Sequence, residues 1–97
     1  MIYRFDAPLW LYATQGAPWH FLTLPVEVGA GLKAMTGRTP GWGSIRVVVT
    51  VGETRWRTSV FPDRKSGSFL LPVKADVRRA EGLTAGDTAR VTLEIEA

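Results

Sequence analysis

At 97 residues the chain has room for one domain with one core, spanning 1–97, and none for a second. It contains no cysteine, which excludes disulfides, thiolate catalysis and Cys-type zinc sites. A net charge of +3 and a pI of about 9.8 permit an acidic or nucleic-acid partner without requiring one.

The N-terminus, Met1-Ile2-Tyr3-Arg4-Phe5-Asp6, has no apolar signal-peptide core. No apolar run in the chain approaches the roughly 20 residues of a membrane span. A soluble, cytoplasmic protein is the expectation, with no membrane association. Residues 2–12 alternate weakly and predict a strand that breaks or bends at Pro8. Gln15-Gly16-Ala17-Pro18 predicts a turn, and Trp19 to Leu24 a second strand. Pro25 stands where a first helical residue belongs, and Val28, Leu32 and Met35 follow at amphipathic spacing. Gly29 and Gly31 weaken that helix by about 1 kcal/mol each relative to Ala. Thr36 to Gly43 is expected to be a loop.

Ser44–Val51, Gly52-Glu53 and Thr54–Phe61 predict a hairpin around a two-residue type II′ turn. That turn opposes Val51 to Thr54, Val49 to Trp56, Val47 to Thr58 and Ile45 to Val60, an apolar face suited to a core. The other face carries Arg46, Arg55 and Arg57. Pro62 to Gly67 is a polar loop and Ser68 to Val73 a strand. A helix is predicted next, started by Pro72, with Val73, Val77 and Ala80 inward, Asp76 in its first turn and Gly82 as its left-handed C-cap. Gly86-Asp87 turns into a final strand, Thr88 to Ile95, with Asp87 capping its own turn.

Leu24-Pro25-Val26 matches Leu71-Pro72-Val73, and Arg46–Val51 resembles Arg90–Ile95. Two copies of one strand–helix–turn–strand unit satisfy this pattern. So do two units that look alike because Pro-started helices and Gly turns share a chemistry. The second copy resembles the Gly-Asp-box half-barrel of AbrB-type regulators and MazE-type antitoxins, on Leu71-Pro72, Arg78-Arg79, Gly82-Leu83 and Gly86-Asp87. In that superfamily two half-barrels, usually from two chains, interlock. Two copies in one chain would close the barrel alone, so a monomer is expected over an obligate dimer.

The whole chain is similar to a bacterial family known only as domain of unknown function 1905. The resemblance is carried by Gly43–Val47, Arg57–Pro62, Gly67–Lys74, Val77–Leu83 and Gly86-Asp87. It implies an all-β fold with minor α: a small double-split or closed barrel of six or seven strands with two short helices. It implies no activity.

Candidate chemistry is sparse. His20 is the only histidine, so neither a metal ligand set nor a base with its orienting partner is visible. Thr58-Ser59 and Ser66 lack a nucleophile elbow. No glycine-rich phosphate loop is present, and no cofactor is expected. Trp10, Trp19, Trp42 and Trp56 could line a cavity, with Trp56 assigned to the core and Trp42 to an exposed loop. The strongest hint is basic: Arg46, Arg55 and Arg57 on the hairpin, then Arg64 and Lys65, with Arg78 and Arg79 beyond. The leading expectation is a non-enzymatic binding module, with Arg46, Arg55, Arg57, Arg64, Lys65 and Trp42 as candidate contacts for a nucleic acid or a small anion. Pro25, Pro72, Gly82, Gly86 and Asp87 are expected to be structural. The alternatives are an AbrB-like nucleic-acid binder using the arginine face, and a small hydrolase with an aromatic-lined pocket joining His20 to a carboxylate.

Overall fold

The computed structural model describes residues 2–36 and 43–96. Six strands, β1 (Ile2–Tyr12), β2 (Trp19–Thr23), β3 (Ile45–Val51), β4 (Thr54–Asp63), β5 (Ser68–Pro72) and β6 (Thr88–Ile95), close a barrel in the order β1-β2-β5-β4-β3-β6. Two helices, α1 (Val26–Thr36) and α2 (Ala75–Glu81), cross between non-adjacent strands. No helix of the described residues is long and apolar enough to cross a membrane.

The hairpin register is the predicted one, from Ile45↔Val60 to Val51↔Thr54. Gly52 supplies the left-handed φ of 59°, and Glu53 does not share it, as a type II′ turn requires. Period-two alternation buries Ile45, Val47, Val49, Val51 and Val60, and the same logic sends Val91 and Leu93 of β6 inward. The lumen is almost wholly aliphatic, with Phe69 the one buried aromatic ring among the described residues. A six-stranded lumen is narrow, and Val and Leu fill it. The tryptophans therefore sit elsewhere: Trp10 and Trp19 face outward, and Trp56 is half-buried against the core's edge. Trp42 lies outside the described residues, as does most of the loop expected over Thr36–Gly43.

β1 is one continuous strand, and what changes at Pro8 is its partner. Residues 2–8 pair with β6 and residues 9–12 with β2. The Leu9 N–H donates to the Asp87 carbonyl (2.8 Å) and the Gly86 N–H to the Leu9 carbonyl (2.8 Å), tying the handover to the turn before β6. Gly86 holds φ at 100°, and Asp87 Oδ2 accepts from the Thr84 N–H (2.8 Å) and hydroxyl (3.1 Å), the expected self-capping turn.

Several local expectations are corrected. Pro72 closes β5 opposite Phe21 and does not start α2. The next residue, Val73, still donates to the His20 carbonyl (2.9 Å), so the ladder holds the chain extended until Lys74, the N-cap. Pro25 does stand at a helix start, its carbonyl accepting the Gly29 N–H (3.0 Å). β4 runs on to Asp63, because Pro62 and Asp63 pair with Phe69 and Ser68. Met35 and Ala80 are exposed. α1 meets β5 through the flank that carries Gly29, where a Cβ would stand 3.1 Å from the Ser68 Cα, so Met35 in its last turn is left outside. α2 buries Val77 and ends as predicted at Gly82 (φ 63°), with the Leu83 N–H returning to the Arg78 carbonyl (2.9 Å).

The connections have a pseudo-twofold symmetry. Exchanging β1 with β4, β2 with β5 and β3 with β6 leaves every strand neighbour unchanged. The registers agree with the sequence repeat. Setting Leu24-Pro25 on Leu71-Pro72 sets Leu22 on Phe69, so Leu9↔Leu22 falls on Pro62↔Phe69. Phe5 then falls on Thr58, and Phe5↔Val91 on Thr58↔Val47. That equates Val91 with Val47, the second match read from the sequence by itself.

Candidate functional site

β2 continues past the lumen. Leu22 is buried inside, and His20, two residues earlier on the same face, lies at the barrel mouth beside the chain leading into α2. A cavity of about 430 Å³ opens there, within the range of small-ligand sites. Trp19 and His20 of β2, Arg46 of β3, Ser59 and Phe61 of β4, and Arg78 of α2 line it, with Lys74 at its edge. No aspartate or glutamate is among its lining residues.

Arg78 is partly buried and anchored through Nε to the Val73 carbonyl (3.3 Å). Its Nη1 lies 3.5 Å from His20 Nε2. A guanidinium only donates, so the contact sets Nε2 as acceptor and puts the imidazole proton on Nδ1. His20 Nδ1 is buried without a hydrogen-bond partner. Desolvation, and secondarily the Arg78 charge, hold the His20 pKa below its ordinary value of 6.5. The imidazole is therefore neutral at pH 7. Among the described residues no carboxylate stands within 4.0 Å of Arg78.

Arg46, Arg55 and Arg57 share the outer face of the β3–β4 hairpin, as predicted, but have different neighbours there. Arg46 joins the cavity, donating to Ser59 Oγ (3.4 Å) with Glu96 at 3.9 Å. Arg55 pairs with Glu94 at 3.5 Å. Arg57 lines a separate depression of about 380 Å³ with Val48, Arg55 and Trp56. Arg64 and Lys65 lie exposed in the β4–β5 turn, away from the cavity's lining. Glu94 and Glu96 reach the arginines because β6 pairs with β3, a contact between distant parts of the chain that hairpin reasoning does not see. The same applies to the site's other members. Sequence reading put His20 on a strand and Arg78 on a helix. Only the β2–β5 pairing brings the two together, and no local pattern marks it.

The expected hydrolase geometry is not what surrounds His20. Its neighbour is a guanidinium, whereas a carboxylate is what would orient a general base. Ser59 Oγ is engaged by Arg46, and Ser66 serves its turn, with its N–H donating to Asp63 Oδ2 (3.1 Å). Among the described residues no group of three His, Cys, Asp or Glu gathers to hold a metal.

The pseudo-twofold supplies an internal comparison. The cross-strand pair Arg46↔Ser59 has Arg90↔Asp6 as its counterpart. Arg90 is held by the Asp6 carboxylate at 3.3 Å, whereas Arg46 has a hydroxyl in that place. The alignment that sets Leu22 on Phe69 also sets His20 on Gly67. One half of the barrel thus carries a histidine and a freer arginine where the other carries glycine and a neutralised arginine.

No curated protein matches the chain. The family model of a domain of unknown function, DUF1905, matches residues 5–93, and the chain belongs to that family.

Proposed function

We propose that the protein is a non-enzymatic binding module for a small anionic ligand, held in the mouth cavity by Arg46, Lys74 and Arg78 beside neutral His20. One observation carries this reading. Arg78 is a partly buried cation with no carboxylate partner among the described residues, in a cavity whose lining is cationic and free of acid. Withdrawing an unpaired charge from water is costly, and an anion in the cavity offsets that cost. The neutral imidazole fits the same reading, since a proton on it would repel Arg78 in the empty site.

Isothermal titration with inorganic pyrophosphate at low salt tests the proposal. Saturable binding is expected, weakened about tenfold or more by Arg78→Ala, the loss of one charge-assisted hydrogen bond. The affinity should also fall as salt rises. Absence of saturable binding, or binding indifferent to Arg78→Ala and Arg46→Ala, would overturn it. Duplex DNA binding that needs Arg55 and Arg57 and ignores Arg78→Ala would assign function to the other arginine face instead.

A further inference from the structure

The cavity does not end at its cations. Trp19 and Phe61 line it and also line an adjoining apolar depression of about 310 Å³, whose other walls include Tyr12, Phe21 and Leu70. Trp19 and Phe61 are 55% and 44% exposed. The Trp19 ring is not loose. Trp19 stacks on Phe21 with centroids 6.0 Å apart and planes 9° from parallel. Phe21 is backed by Trp10 at 5.4 Å, and the Trp10 indole N–H donates to Thr23 Oγ1 at 2.8 Å. Cross-strand packing accounts for Trp10 and Phe21. It does not account for two large rings exposed at the lip of a cationic cavity.

We propose that the ligand is a phosphorylated nucleoside free in solution, its base on the Trp19–Phe61 shelf and its phosphate among Arg46, Lys74 and Arg78. The proposal rests on the anion-site reading above and adds the ring. Three cations, of which only Arg46 has a carboxylate nearby (Glu96 at 3.9 Å), suit a phosphate, with its higher charge, better than a single carboxylate. An apolar aromatic surface beside them, with Trp19 ordered by its stack on Phe21, suits a planar base. A polynucleotide fits less well. Its next phosphates would need a continuing basic track, and Arg55, beyond the cavity, is paired with Glu94 at 3.5 Å. Stacking sets the preference, and purines, with their larger rings, bind more tightly than pyrimidines.

The experiment compares adenosine 5′-monophosphate with ribose 5-phosphate, which carries the same phosphate and no base. Titration calorimetry and tryptophan fluorescence give the two readouts. The monophosphate is expected to bind about tenfold or more tightly and to quench fluorescence. Trp19→Ala should abolish that advantage, bringing the monophosphate's affinity down to that of ribose 5-phosphate measured on the same variant. Phe61→Leu, which keeps apolar bulk and removes the ring, should reduce it and serves if Trp19→Ala folds poorly. Arg78→Ala should weaken both ligands. Equal affinity of the two compounds would overturn the nucleoside assignment and leave the anion site standing. Failure of both, and of pyrophosphate, would remove the anion site as well. A single-stranded oligonucleotide that binds where the monophosphate does not would also overturn the proposal.

Discussion

At the residue scale, glycine in α1 shows propensity and packing pulling in opposite directions. Helix propensity favours alanine at Gly29 by about 1 kcal/mol. The space there is already occupied by Ser68, whose hydroxyl donates to the Pro25 carbonyl (3.2 Å). Gly31 is similar, since a Cβ would stand 2.7 Å from the Tyr3 hydroxyl oxygen. Overpacking typically costs about 1–3 kcal/mol, so Gly29→Ala should destabilise the protein despite its better propensity, read as a lower urea midpoint. His20 gives a second residue-scale prediction. Its folded pKa lies below 6.5, so below about pH 6.5 the unfolded chain takes up the proton first. The contribution is complete above that pH and is lost as pH falls toward the folded value. Wild type should therefore lose more stability than His20→Gln between pH 7.5 and 5. The single histidine also gives one unambiguous NMR titration, whose midpoint should lie below 6.5 and rise when sulfate fills the cavity.

At the element scale, the β3–β4 hairpin and α2 are joined at one point. The Thr54 hydroxyl donates to Glu81 Oε2 at 2.6 Å, and the Glu81 carboxyl lies against Gly52. Gly52 thus answers two demands, a left-handed φ and room for a neighbour. Gly67 answers only the first, with φ 72° and open space around its Cα. Alanine in the left-handed region costs about 1–2 kcal/mol. Gly67→Ala should cost about that much, and Gly52→Ala should cost more by the displaced Thr54–Glu81 contact. Chemical denaturation of the two variants checks the order, and equal losses would show that the helix anchor contributes nothing. Elements also settled what Pro72 does. A proline can start a helix or end a strand, and the ladder bond from Val73 to His20 decided for the strand.

At the scale of the whole molecule, the pseudo-twofold makes each half a control for the other. Arg46 and Arg90 occupy equivalent places, but the carboxylate nearest Arg46, Glu96, stands at 3.9 Å, whereas Asp6 holds Arg90 at 3.3 Å. Both partners of that pair are well exposed, so it adds little stability, below about 1 kcal/mol. What it removes is a free cation. Arg90→Ala should leave pyrophosphate binding unchanged, whereas Arg46→Ala should weaken it. Ser59→Asp, which copies the Asp6 arrangement into the site half, should weaken it by about tenfold, the effect expected of a carboxylate competing for the same guanidinium. Equal effects of Arg46→Ala and Arg90→Ala would mean that only net charge matters.

The sequence by itself determined whatever depends on neighbours along the chain. Gly52 fixed the hairpin turn and through it the Ile45–Val60 register. Gly82 fixed the end of α2, and Gly86-Asp87 the last turn, because backbone conformation at these positions follows from the residue and its immediate neighbours. The repeat was legible for the same reason, as one local pattern met twice. The candidate site depended on pairings between distant segments. β2 with β5 carries His20 to Arg78, and β6 with β3 sets Glu94 and Glu96 among the arginines. An arginine looks the same in a sequence whether a carboxylate faces it or not. Only closure of the barrel decided that Arg55 and Arg90 would be paired at 3.5 Å or less and Arg46 held only at 3.9 Å by Glu96, while Arg78 has no carboxylate partner among the described residues, because the opposing charge arrives on a strand from elsewhere in the chain.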